Sequence, residues 1–214
     1  MRRGALGLLV LVLAAAACSD EGDDGAATTT LALPEVGVEA PGDPAVVELE
    51  ELLATGRAGP VHAVFESEGD TTALGGDMRI ELWRDGDRAR YDTRFTSSAG
   101  GTADTVVVVG PDGGTACSRE GDAPFECQPT EETSSDALFL APLVDERDVE
   151  AYDDTVGGID ARCFRVDDDL GRAAVCVDGQ GVPLLLTADD ARLLRVSLDD
   201  DVTDADFDTA SLAG

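Results

Sequence analysis

The sequence feature that most limits the fold of this chain is a series of short segments in which apolar and polar residues alternate. In one of them Met78, Ile80 and Leu82 occupy every second position, and similar runs recur from Val61 onward. A period of two places these side chains on one face of a β-strand. The segment Asp85–Asp87, with Gly at its centre, is typical of a hairpin turn between antiparallel neighbours. The pattern therefore predicts an antiparallel, meandering sheet.

About ten strands are expected from this alternation and from the Gly- and Asp-rich turns between the runs. They include Val61–Glu66, Met78–Trp83, Arg88–Phe95, Thr105–Val109, Val149–Thr155, Ile159–Val166, Ala173–Val177, Leu184–Leu186 and Arg192–Leu198. Thr105–Val109 is a continuous run rich in β-branched residues, which is typical of a more deeply buried strand. The fold class that follows is α+β and mainly β, because only two segments have a helical pattern.

Those two segments are expected to cover one face of the sheet. The first begins after Asp43, and Asp followed by Pro44 is typical of a helix N-cap and first helical position. Its apolar residues share one helical face, and Gly56 is expected to end it. Asp136–Val144 is expected to form a second short helix or an apolar loop. The apolar positions of the first helix are Val46, Val47, Leu49, Leu52 and Leu53.

The N-terminus has the pattern of an export signal. Arg2 and Arg3 precede the apolar run Ala5–Ala17, which is shorter than the ~20 residues that a membrane-spanning helix needs. Its proportions are those of a signal peptide. The segment Leu13–Cys18 resembles the lipobox of bacterial lipoproteins, which implies cleavage before Cys18 and acylation of its thiol. An ordinary cleaved signal peptide is the alternative.

Three regions are therefore expected along the chain. Residues 1–17 form the signal peptide, residues 18–44 a lipidated, disordered, acidic tether, and residues 45–211 the folded domain. The tether contains seven acidic residues and no basic one, so it cannot bury enough apolar surface to fold. A stalk O-glycosylated at Thr28–Thr30 is the alternative. Two or more acyl chains at Cys18 would anchor the protein stably to the outer face of the cell membrane.

The net charge limits the partners of the domain. The chain carries 45 acidic against 15 basic residues, a formal net charge of −30. Such a protein repels the phosphate backbone, which excludes nucleic acid as a partner. The hydrophobic fraction of 43% is nevertheless high enough for a packed core.

Four cysteines remain besides Cys18, and an even number in an exported domain favours disulfides. Three connectivities are open, and local pairing is favoured by the hairpins. Cys163 and Cys176 lie on consecutive predicted strands, whereas Cys117 and Cys127 flank a predicted nine-residue loop. The expected bridges are therefore Cys117–Cys127 and Cys163–Cys176. A metal site is disfavoured because no C-x-x-C spacing occurs.

The C-terminal half also carries a family resemblance. The succession Gly158–Phe164, Val175–Val177, Gly181–Leu184 and Val202–Phe207 resembles actinobacterial envelope lipoproteins of the LolA-like superfamily, which includes the LppX and LprG types. The resemblance spans residues 46–208. It implies an incomplete antiparallel β-barrel, a strongly curved meander sheet with one or two helices packed on its concave face. It also implies an apolar cavity that binds acyl chains or glycolipids.

No pattern of catalytic chemistry was found. His62 is the only imidazole, and its strand position favours a solvent-facing or cross-strand polar role over that of a general base. The acidic runs Asp167–Asp169, Asp199–Asp201 and Asp204–Asp208 match no calcium-binding loop, so a solvated surface is favoured over weak Ca²⁺ binding. We therefore expect no catalytic residue, no metal site and no cofactor.

One cluster of arginines needs an explanation. Five arginines lie close together in one hairpin: Arg79, Arg84, Arg88, Arg90 and Arg94. Alternation places Arg88, Arg90 and Arg94 on one strand face, where they would either contact an anionic headgroup or acidic partner, or be neutralised internally. Internal neutralisation is favoured. The acids expected to provide it are Glu66, Glu68, Glu81 and Asp92.

The resulting hypothesis is a non-enzymatic, membrane-anchored lipoprotein that binds a lipid, a glycolipid or another apolar or acylated ligand. The alternative is an interaction or sensor module of the cell surface with a filled core, which recognises another envelope protein. A hydrolase whose site has no sequence signature is the least favoured class.

Overall fold

The computed structural model describes residues 43–68, 75–130, 136–140, 143, 148–168, 171–189, 191–210 and 212. The described helices are α1 (Pro44–Gly56), α2 (Ala137–Leu140) and a 3-10 helix (Asp204–Phe207). The strands are β1 (Val61–Ser67), β2 (Gly76–Asp85), β3 (Arg88–Ser97), β4 (Thr102–Gly110), β5 (Gly113–Glu120), β6 (Glu126–Thr130), β7 (Glu150–Val156), β8 (Ile159–Asp168), β9 (Gly171–Asp178), β10 (Pro183–Ala188) and β11 (Ala191–Asp199). The predicted signal peptide, Cys18 and the tether up to residue 42 lie outside the described residues.

All eleven strands form one antiparallel sheet in the order β6-β5-β4-β3-β2-β1-β11-β10-β9-β8-β7. The order is a simple meander in each half of the chain, and β1 joins the halves by pairing with both β2 and β11. The sheet does not close, because β6 and β7 remain at opposite edges. The predicted incomplete antiparallel barrel, mainly β with helices on its concave face, is confirmed.

Helix α1 begins as its sequence predicts. The Asp43 carboxylate accepts a hydrogen bond from the Ala45 N–H (2.8 Å), and Pro44 is the first helical residue. The other carboxylate oxygen of Asp43 accepts from the Val149 N–H (3.0 Å), next to β7. One side chain therefore caps the helix and ties it to an edge of the sheet.

The concave face of the sheet holds the main core. Met78, Ile80 and Leu82 are buried there, as the alternation predicts. Helix α2 adds Phe139, whose ring centroid lies 6.4 Å from that of Phe65. Fully burying a side chain of this size contributes roughly 1.5–3 kcal/mol. The core is thus built from alternate strand positions together with apolar side chains of α1 and α2, including Leu49 and Leu53 of α1.

Helix α1 ends at Gly56, as predicted, and the residue after it, Arg57, is the C-cap in a right-handed helical conformation. Gly56 also has a packing role that the sequence did not indicate. A Cβ at Gly56 would overlap the carbonyl oxygen of Gly181 and lie 2.8 Å from Nη2 of Arg84. Glycine is therefore needed here for the close approach of two backbones.

Two strand predictions were wrong. The segment between Cys117 and Cys127 is not a simple loop, because the cysteines lie on β5 and β6 and are directly paired. These strands lack the apolar alternation that would reveal them. The run Thr105–Val109 is not buried throughout; only Val106 and Val109 are buried, and they lie on opposite faces of β4.

None of the described helices is long and apolar enough to cross a membrane.

Candidate functional site

A small apolar pocket lies on the concave face and is lined by residues from the beginning of β2 and from β9, β10 and β11. Its volume is about 50 Å³. Thr187 is its only polar lining residue among those described, and Leu138 of α2 forms part of its wall. The other lining residues are Met78, Ile80, Ala174, Val175, Leu186, Ala188, Ala191 and Leu193. A surface of this composition suits a hydrocarbon and offers little to a polar solute.

The volume of the pocket limits what it holds in this conformation. A dry cavity of about 150 Å³ accommodates benzene, three times the volume available here. Leu49 and Leu53 of α1 and Phe139 of α2 are completely buried and fill the rest of the concave face. An alkyl chain therefore enters only if side chains around the pocket move.

A buried ion pair connects the sheet with α2. Nη1 of Arg84 donates to Oδ1 of Asp136 (3.2 Å), and their side chains are 0% and 3% exposed. Arg57, at the end of α1, contacts the other oxygen of Asp136 (2.7 Å). Three segments distant in sequence thereby meet at one carboxylate.

Burial dominates the titration of this ion pair. Loss of solvent raises the pKa of Asp136, although Arg57 and Arg84 oppose the change. Loss of solvent also lowers the pKa of Arg84. Among the described residues no acceptor lies within hydrogen-bond distance of Nε or Nη2 of Arg84. The pair is therefore costly to bury and depends on both partners.

Sequence reasoning did not single out Arg84 as an interior residue. The signal was present, because Arg84 continues the alternate positions of Met78, Ile80 and Leu82. Its partner gave no comparable signal, since Asp136 lies 52 residues away.

The predicted Arg88, Arg90 and Arg94 cluster does share the outer face of β3, but its partners differ from those expected. Arg88 contacts Asp85 (2.8 Å) and Asp204 (2.9 Å). Arg94 contacts Asp104 (2.7 Å). Only the Arg90–Asp92 pair (2.6 Å) is as predicted.

Two of the other predicted acids neutralise Arg79 of the same hairpin, and the third binds an arginine outside it. Glu66 and Glu81 bind Arg79 at 2.6 and 2.8 Å. Glu68 binds Arg192 at 3.0 Å. The interpretation of internal neutralisation thus fits the observed contacts, with a partly different set of carboxylates.

The C-terminal 3-10 helix covers one end of the arginine cluster. The Arg88 guanidinium lies 4.4 Å from the centre of the Phe207 ring. Arg90 donates to the Asp206 carbonyl oxygen (2.8 Å). The acidic run Asp204–Asp208 therefore contacts its own chain at this point.

An open groove of about 290 Å³ continues along the outer face beyond this contact. Asp104 lies within it and accepts from Arg94 (2.7 Å) and Arg119 (2.8 Å). Burial would raise the pKa of Asp104, but hydrogen bonds from Arg94 and Arg119 hold it below its ordinary value. The groove carries both signs of charge, which is typical of a solvated polar surface.

His62 has the cross-strand polar role that its position suggested. Its ring stacks on Trp83 with centroids 4.8 Å apart, and Nδ1 lies 3.2 Å from a carboxylate oxygen of Asp199. No described group of three or more His, Cys, Asp or Glu residues has the arrangement of a metal site. Of the acidic runs, Asp169 lies outside the described residues.

Both expected disulfides are present, Cys117–Cys127 and Cys163–Cys176. Each joins residues directly opposite one another on adjacent strands. The second lies within an apolar cluster on the face of the sheet opposite the main core. Other buried members of that cluster are Val156, Ala161, Leu184 and Leu185.

Comparison with known proteins adds little to this description. No protein-family model and no curated protein matches the chain. Two solved structures of PNGF-II, in the C2 and P21 crystal forms, are similar with TM-scores of 0.36 and 0.37 and sequence identities of 6% and 8%. Each comparison covers 72% of this chain but only 30% of the PNGF-II chain. Similarity at this level assigns no family or activity.

Proposed function

We propose that this chain is a non-enzymatic envelope lipoprotein of the LolA-like type, anchored to the outer face of the membrane through acylated Cys18, which binds an apolar or acylated ligand. The apolar pocket on the concave face is the observation that carries the proposal. The open barrel supports it, because this is the architecture that the resemblance in Gly158–Phe164 and the later segments implies.

The chemistry of the pocket wall favours a hydrocarbon over a polar ligand. Ten described residues line it, and none is charged. Each methylene group moved from water into such surroundings gains about 0.8 kcal/mol. Among the described lining side chains, only the Thr187 hydroxyl could form a hydrogen bond with a polar group of the ligand. An acyl chain is the natural ligand of this surface.

The pocket must enlarge to receive that chain, and α2 provides the means. Leu138 forms part of the wall but is only partly buried, and its helix is four residues long. A helix this short is not stable by itself and depends on packing. In the proposal, the Leu138 side chain gives way to the ligand while the strands keep their positions.

Native mass spectrometry of the protein purified from its own host tests the proposal. We expect a bound apolar molecule in addition to the covalent acyl groups. The C18A variant lacks the covalent acyl groups and should still carry the bound molecule. A second assay uses dansyl-undecanoic acid as the probe, with L138A to enlarge the pocket and V47A as a matched control. Val47 lies on α1 and is 41% exposed. We expect tighter probe binding by L138A and no change in V47A.

Ligand-free protein from the host, together with no probe binding by the wild type or L138A, would refute the lipid-binding proposal. An equal increase in probe affinity in L138A and V47A would show that the probe binds somewhere other than this pocket.

A second candidate is an interaction module with a filled core, and the small volume of the pocket favours it. In that case the outer surface carries the function. Ile159 and Val196 are 44% and 53% exposed and are suitable positions for a photo-crosslinking residue in the host. A discrete crosslinked envelope protein, with no bound lipid, would favour this candidate.

A further inference from the structure

The two disulfides can be compared directly. Each joins opposite residues of two adjacent strands, but the two bridges differ in exposure to solvent. Cys163 and Cys176 lie on β8 and β9 inside the sheet, and both are 0% exposed. Cys117 on β5 is 1% exposed, but Cys127 on β6 is exposed to solvent. One residue of the Cys117–Cys127 bridge is therefore at the surface, whereas both residues of the other bridge are buried.

Strand β6 is held by few interactions besides this bridge. It is an edge strand and pairs only with β5. None of its five residues is buried, so it contributes little apolar burial. Pro129 has no N–H to donate to the ladder. Among the described residues, β6 is therefore attached to the sheet mainly by its backbone hydrogen bonds with β5 and by the disulfide.

We propose that Cys117–Cys127 is a site of thiol–disulfide exchange with a dithiol reductant, and that its opening releases β6 from the sheet. A thiolate of the reductant attacks Sγ of Cys127, the S–S bond breaks, and Cys117 leaves as a thiolate that takes up a proton. The second thiol of the reductant then attacks the mixed disulfide and releases Cys127. Two electrons pass from the dithiol, which becomes a cyclic disulfide, to the two cysteines.

The structure makes this exchange selective. Exposed disulfides are the labile and regulatory ones, since rates depend on access to the attacked sulfur. Attack on Cys163 or Cys176 requires the apolar cluster that covers them to open, which costs a large part of the stability of this region. Release of β6 would expose the backbone donors and acceptors of β5, which are a template for another strand. The inference stands independently of the proposed lipid binding.

The rates of reduction test the selectivity. The wild-type protein is incubated with dithiothreitol under native conditions, sampled over time, alkylated with N-ethylmaleimide and mapped by peptide mass spectrometry. We expect Cys117 and Cys127 to be alkylated at least about tenfold faster than Cys163 and Cys176. In urea, where the fold is lost, the two bridges should react at similar rates. A native ratio below about ten, or the reverse order, would overturn the proposal.

Hydrogen exchange tests the release of β6. After selective reduction, amides of residues 126–130 should lose protection while those of β8 and β9 keep theirs. The C117S/C127S variant should reproduce this state without reductant. Unchanged protection of residues 126–130 in both samples would show that β6 stays in place and would overturn the second half of the proposal.

Discussion

Nη1 of Arg84 on β2 donates a 3.2 Å hydrogen bond to Oδ1 of Asp136, which immediately precedes α2. Neither side chain is more than 3% exposed. This pair places an ionic contact inside an otherwise apolar face, and it fixes the start of α2 against the sheet. Removing Asp136 leaves Arg84 as a buried charge without compensation, whereas Asp136 without Arg84 still has its contact with Arg57.

The first prediction concerns this pair. D136N should lower the free energy of unfolding by about 3–5 kcal/mol, as for other buried pairs broken on one side. The double variant R84M/D136N should lose clearly less unfolding free energy than the sum of the losses in R84M and D136N, because the uncompensated charge is gone. Urea unfolding followed by circular dichroism measures all four proteins. Additive losses would show that the two side chains do not stabilise each other.

Acid stability should depend on Asp43. Hydrogen bonds from the Val149 and Ala45 N–H groups lower the pKa of its carboxyl from the ordinary value of 3.8. The folded state therefore favours the ionised form, and the stability it contributes is present above pH 3.8 and is lost as the pH falls through the lower folded pKa. D43N keeps an acceptor for the helix cap but does not titrate.

Unfolding free energies measured from about pH 6 to about pH 3 should therefore decline less steeply for D43N than for the wild type. Identical slopes for D43N and the wild type would contradict the role given to the cap.

The contact of α1 with the β9–β10 turn predicts a sharp difference between two glycines. G56A should destabilise the fold by about 1–3 kcal/mol through overpacking, although alanine is the better helix former. G59A is the control, because a Cβ there would meet nothing within 4 Å. Its effect should stay within about 0.5 kcal/mol. Equal melting temperatures for both variants would argue against the close approach of Gly56 and Gly181.

The arginines on the outer face of β3 should behave as ordinary surface residues. Arg88 and Arg94 are 38% and 59% exposed, Arg90 is 15% exposed, and each is paired with an aspartate. Such exposed pairs are worth about 0–1 kcal/mol each. R88Q/R90Q/R94Q should lower the melting temperature slightly and leave retention of any bound ligand unchanged in native mass spectrometry. Loss of ligand with the fold intact would instead indicate a headgroup site.

Anchoring should depend on a single residue. C18A should prevent acylation and release the protein from membranes, which fractionation and intact mass measure directly. The reason is that the acyl chains of the proposal are attached to the Cys18 thiol, and two or more of them give stable anchoring. A C18A protein that sediments with membranes would disprove the lipoprotein assignment.

Much of the fold was predictable because its signals are local. Alternation in β2 and β3 depends only on neighbouring positions, and so does the Asp43-Pro44 start of α1. Both disulfides were predictable for the same reason, since each joins adjacent strands over a short separation. The sequence could not reveal β5 and β6 as strands, because only Cys117 is buried there and burial is what produces a hydrophobic period.

The sequence by itself determined the strand-forming segments other than β5 and β6, the inward and outward positions in strands such as β2 and β3, and the local disulfide pairing. Only the tertiary structure decided that β1 pairs with β11, that Arg84 meets Asp136, and that Arg88 binds Asp204 from 116 positions away. Contacts of this kind depend on which surfaces pack after long loops close, and many carboxylates in a chain with 45 acidic residues are chemically equivalent candidates. The volume left between α2 and the sheet is decided in the same way, because it depends on how side chains from distant segments fit together.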